Sequence, residues 1–328
     1  MVTKERIEQY KEWFSNLSFF GKNSFVIDNI EDLWNYVKRV DRLFHKISRE
    51  NIKKIEYTKL ETKQIIDLSQ KFLDNHKIKI NIKNLIDKGI LNLENKEKPK
   101  NEYYDTIQDG IIHYDKENDK IKIELLLENS IFDCGVLIHE LMHYLNQPKK
   151  NRNIVSDLLT EAVSYSTEMI FYEDIKDSYP NDYNKTYYGF IRTLNAKIYY
   201  SYYIYKIIYL YKIKKDINEE LYKEVFNDEY YEETIEAFEK YASNRNQIFK
   251  DTWNVISLPL TTYILEKYNN KEMQFDSIIE FSDSINDKSI EECIKIVGID
   301  SRDDFCIKTI EAVEKGIEQF NKIIEEIN

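Results

Sequence analysis

"VLIHELMHYLN" (136–146) is the stretch that decides the reading of this chain. Its apolar residues recur at helical spacing. Two histidines four apart, His139 and His143, therefore lie one turn from each other on the same face. Both can aim a ring nitrogen at one point. Glu140 is rotated by about 100° from His139, beside that point instead of on it. A hydrolytic zinc site needs that division, because imidazoles hold the ion while a free carboxylate takes a proton from water. An amphipathic surface helix would carry such histidines on a polar face. Here they lie among Val136, Leu137, Ile138, Leu141, Met142, Tyr144 and Leu145, with no further charge than that of Glu140.

A catalytic zinc takes a third protein ligand and keeps one position open. No histidine follows His143, so the third ligand is sought among carboxylates. The next helical segment, "LLTEAVSYSTEMIFYE" (158–173), offers Glu161 and Glu168, seven apart and nearly superimposed after two turns. Both fall among Leu158, Ala162, Tyr165 and Met169, on a face expected to be buried. Buried carboxylates need a partner, and a metal with its histidines supplies one. Glu161 is the expected third ligand. Glu168 is expected to accept the second N–H of an imidazole and orient it.

These segments resemble the thimet oligopeptidase and oligoendopeptidase F metallopeptidases, gluzincins with a His-Glu-x-x-His helix. In that family a following helix carries the ligand glutamate and a second glutamate seven residues on, which "TEAVSYSTE" (160–168) matches. "IELLLENSIFDCGVLIHELMH" (123–143) resembles the family's substrate-binding edge strand, connection and motif helix. "AKIYYSYYIYKI" (196–207) is similar to its tyrosine-rich active-site segment, and "SINDKSIEECIKIVGIDSRDDF" (284–305) to its C-terminal region. The chain departs from the pattern at Met142, where the family has glycine. It departs again at Lys197, near where the family has a histidine, and it is much shorter.

The resemblance implies a zincin-like, mainly α catalytic region holding one Zn2+ per chain. Peptide would add as a strand against 120–127. It also implies that Tyr202 or Tyr205 points a phenol at the oxyanion; packing in the core is the other reading of these tyrosines. The expected activity is hydrolysis of peptide bonds in short or unfolded peptides, by water that zinc polarises and Glu140 deprotonates. Two alternatives remain: a non-catalytic zinc- or peptide-binding module, and a protease dedicated to one precursor peptide or regulator.

The rest of the chain bounds this reading. With 7 Gly and 4 Pro in 328 residues, long helices are favoured over many short strands. A net charge of −12 argues against nucleic acid as a partner. The segment 194–213 contains Lys197 and Lys206 among its tyrosines and fails as a membrane span. No secretory signal is read at the start, and Cys134, Cys293 and Cys306 form no paired motif. A cytoplasmic protein with free thiols is expected.

Apolar spacing predicts helices near 3–18, 29–48, 60–75, 129–147, 154–175, 185–213, 217–247, 250–268, 273–282, 288–297 and 302–327. A polar break at 91–110 precedes "IIHY" and "KIKIELLL", which alternate about a turn and read as a small β-hairpin. The expected organisation is an N-terminal helical region, 1–109, and a catalytic region, 110–328, in one unit.

Overall fold

The computed structural model describes residues 30–50, 55–95, 110–115, 120–146, 154–213, 218–227, 230–242 and 245–328. The fold is mainly α with one small sheet, as the sequence predicts. Helices α1 (Ile30–Leu43), α2 (Thr62–Asn75) and α3 (Ile82–Asp87) precede strands β1 (Leu91–Glu94), β2 (Gly110–Asp115) and β3 (Lys120–Leu126). Then follow α4 (Phe132–Leu145), α5 (Ile154–Ile175), α6 (Pro180–Ile213), α7 (Glu219–Phe226), α8 (Tyr231–Ala242) and α9 (Arg245–Asn269). Helices α10 (Phe275–Ser284), α11 (Ile290–Ile296) and α12 (Arg302–Ile327) complete the chain. The helix expected at 3–18 lies outside the described residues.

The sheet has the order β1-β3-β2, with β1 parallel and β2 antiparallel to β3. The expected hairpin is therefore present, but a third strand lies on its other side. This corrects the expected substrate strand. Among the described residues β3 is the central strand: 120–125 pair with β2 on one side and 123–126 with β1 on the other. The outer edge next to the motif helix belongs to β2. One face of the sheet is buried through Leu91, Ile123 and Leu125. The other carries an exposed cluster in which His113 and Lys122 both reach the Glu124 carboxylate.

Helix α5 is buried on nearly every side, with Leu159, Val163, Ile170, Phe171 and Tyr172 almost fully enclosed. It packs between α4 and α9. Helix α9 leans in turn on α12. Helix α12 is tied back to the α1 region through Tyr36 Oη and Thr309 Oγ1 (3.0 Å), and through Asn321, which bonds Ser48 N and Lys46 O.

The predicted helix at 217–247 is divided. Asn227 caps α7 in the left-handed region (φ 52°), which a helix cannot continue through. Among the described residues, no helix is long and apolar enough to cross a membrane. Cys134 and Cys293 are buried, Cys306 is half-buried, and all three are free.

Candidate metal centre

The motif helix is fixed at both ends. Before it, the Asp133 carboxylate accepts hydrogen bonds from Glu128 N (3.0 Å) and Ser130 N (2.9 Å). This folds the turn between β3 and α4, with Asn129 left-handed at φ 54°. The strap 58–60 runs antiparallel to that turn and bonds it through Leu60 N–Asn129 O and Ile131 N–Thr58 O, both 2.9 Å. At the far end, the Asn146 side chain donates to Met142 O (3.1 Å) and accepts from Ser282 Oγ (2.8 Å). Cys134, Leu137, Ile138, Leu141 and Met142 are fully buried, which leaves the histidine face turned toward α5.

Three side chains converge between these helices: His139, His143 and Glu161. The two Nε2 atoms are 3.0 Å apart, and Glu161 places Oε2 3.7 Å from His139 Nε2 and Oε1 3.6 Å from His143 Nε2. Ligands on arms of about 2.0–2.1 Å around a tetrahedral zinc stand roughly 3.3–3.4 Å apart. The observed separations bracket that value, so the group fits one ion. Its two nitrogens and one carboxylate are a donor set that suits zinc. Residues 147–153, between the two helices in sequence, lie outside the described residues.

Glu168 stands where the sequence expects it, with Oε2 3.0 Å from His139 Nδ1. A neutral His139 then donates from Nδ1 and turns the lone pair of Nε2 into the site. Burial, the largest single influence, pulls the pKa of His139 down. The Glu168 hydrogen bond and the charges of Glu168, Glu161 and Glu140 outweigh it and lift the group to about 9. Three carboxylates around one buried imidazole make this a place that attracts a cation.

Glu140 is buried and stands outside the converging triad. Its side chain lies against the first residue of β2, where a Cβ on Gly110 would fall 2.8 Å from Glu140 Cγ and 3.0 Å from Oε1. The carboxylate beside the metal ligands thus abuts the outer strand. Glycine at 110 makes that approach possible.

The tyrosines divide differently from the expectation. Tyr202 in α6 sets its ring 5.0 Å from that of Trp34, with the Lys206 ammonium 4.6 Å from its centre. Lys206 is itself buried and donates to Tyr222 Oη at 3.0 Å, so this is an aromatic enclosure about a cation. The Tyr205 side chain lies outside the described residues. Tyr165 of α5, in contrast, sets its ring 4.6 Å from that of His139, edge to face. Burial raises its pKa first, and the charges of Glu161, Glu168 and Glu140 add to that. No hydrogen bond of its hydroxyl is found among the described residues. Its place one turn after Glu161 in the same helix is the signal the sequence carries for it.

No protein-family model, curated protein or solved structure matches this chain. The geometry of the site therefore carries the functional argument.

Proposed function

We propose that this protein is a zinc-dependent metallopeptidase that hydrolyses peptide bonds in short or unfolded peptides in the cytoplasm. The observation that carries the reading is the position of Glu140. A purely structural metal site has no use for a buried carboxylate beside its three ligands, and this one, next in the chain to His139, lies against the first residue of β2. His139, His143 and Glu161 hold the ion, and three protein ligands leave a position open. When bound, zinc supplies a Lewis acid that polarises water and the scissile carbonyl.

The remaining work falls to the chain. Glu140 takes a proton from the attacking water and passes it to the amine that leaves as the C–N bond breaks. Glu168 keeps His139 in the tautomer that presents Nε2. The outer edge of β2 can take an extended peptide as a further strand, with main-chain hydrogen bonds that serve many sequences. Tyr165 supplies a phenol beside His139, able to donate to an oxygen that gains negative charge.

Metal analysis together with digestion of a peptide library tests this reading. The wild type is expected to hold about one zinc per chain and to cleave. Glu140→Gln should keep fold and metal yet lose cleavage, since an amide cannot accept the proton. A zinc-loaded wild type that leaves every peptide intact would refute the peptidase assignment.

A further inference from the structure

Helices α4 and α5 meet in successive layers. His143 faces Glu161, His139 faces Tyr165 and Glu168, and one turn earlier Gly135 faces Tyr172. Residues rise along α4 as they fall along α5, so the two helices run antiparallel. The first two layers hold the metal ligands and the orienting carboxylate. The third holds no polar side chain from α4 at all. A Cβ at position 135 would lie 2.6 Å from Tyr172 Oη, 2.7 Å from Cε2 and 3.0 Å from Cζ.

Tyr172 has little freedom to yield. It is fully buried, its hydroxyl donates to Phe132 O in the first turn of α4 (3.4 Å), and its ring packs on Phe171 at 5.1 Å. Ordinary contact between heavy atoms begins at about 3.5 Å, so even a methyl group at 135 falls short by roughly 0.9 Å. The next layer is about 6 Å along the axis, where ligand positions tolerate errors of only about 0.2 Å. Even a fraction of that displacement exceeds what the metal accepts.

We propose that Gly135 and Tyr172 are positioning residues, a spacer that sets the distance between the two ligand-bearing helices and so the bite of the metal site. This rests on the reading of His139, His143 and Glu161 as metal ligands. A side-chain-free position 135 is a condition for tight binding at a site it does not touch. Glycine is otherwise a poor choice in a helix interior: alanine is the better helix former and, without the contact, would raise the melting temperature.

The test titrates Zn2+ and Co2+ into wild type, Gly135→Ala, Tyr172→Leu and the double variant, with circular dichroism and thermal melts of the metal-free proteins. Folded Gly135→Ala is expected to bind zinc roughly 10–100-fold more weakly, the range seen when support of metal ligands is disturbed. Its Co2+ complex should lose the intense visible bands of tetrahedral coordination. Adding Tyr172→Leu should recover both, since the shorter side chain vacates the space the methyl group needs. A folded Gly135→Ala with wild-type zinc affinity, or a higher melting temperature and unchanged Co2+ bands, overturns the proposal. If Gly135→Ala does not fold, the double variant decides. Recovery of fold and zinc affinity supports the spacer, and failure to recover them overturns it. A wild type that binds no zinc is a separate result: it sinks the metal assignment, and the spacer proposal with it.

Discussion

The Oε2 atom of Glu168 stands 3.0 Å from His139 Nδ1, two turns along α5 from Glu161. One helix thus supplies both a candidate ligand, Glu161, and the group that orients another, His139. Replacing His139, His143 or Glu161 with Ala should abolish tight zinc binding. Glu168→Ala should weaken it roughly 10–100-fold. Isothermal titration separates the two classes; full affinity in Glu161→Ala with loss in Glu168→Ala would reverse the assignment.

Zinc binding should depend on pH through His139. With its pKa lifted to about 9, the metal-free site holds a proton that must leave before Nε2 can bind a metal. Apparent zinc affinity should therefore rise with pH up to about 9 and level off above it. Stability of the metal-free protein runs the other way. The folded-state pKa lies above the unfolded value of about 6.5, so the contribution of His139 is full below about 6.5 and lost as pH rises through 9. Titrations and chemical denaturation across pH 6–10 read both, and His139→Ala should flatten the stability trend of the metal-free protein.

Tyr165→Phe is expected to lower kcat by about 10²–10³ with little change in KM, the behaviour of a donor that acts on developing charge. Tyr202→Phe should leave turnover intact and change stability by about 1 kcal/mol, because its ring belongs to the Trp34–Lys206 enclosure. Measuring kcat and melting temperature for both variants distinguishes the roles. Equal turnover in the two would remove Tyr165 from the chemistry.

Gly110→Ala should reduce kcat while zinc content stays at the wild-type level. The added methyl group meets Glu140 Cγ at 2.8 Å and pushes the carboxylate off its position, and its three nearest neighbours, Glu140 Cγ, Glu140 Oε1 and Val136 Cγ1, belong to none of the three ligands. Loss of zinc in this variant would show that the strand supports the metal itself.

The centre of the site was legible because its periods are helical. His139 to His143 and Glu161 to Glu168 repeat at one and two turns, and in each case the structure brings the pair to one face. Strand β1 and helix α3 were not foreseen; "LNLE" (91–94) opens a polar stretch and gains its place only by pairing with β3. Alternation in a hairpin likewise does not say which strand a third will join, and so does not tell the centre of a sheet from its edge. The tyrosines show the same limit. Periodicity marks the apolar side of a helix, but not which neighbour a given ring will meet.

The buttressing of α5 has a consequence for synthesis. His139, His143 and Glu161 leave the ribosome well before α9, whose Thr261 hydroxyl bonds Ala162 O beside the third ligand. They leave earlier still than α12, which braces α9 and closes back onto the α1 region. A nascent chain can form the histidine helix early, but the wall behind Glu161 waits for α12. On-pathway metal capture by the growing chain would therefore be loose, and the ion should become tightly held only once α12 has emerged.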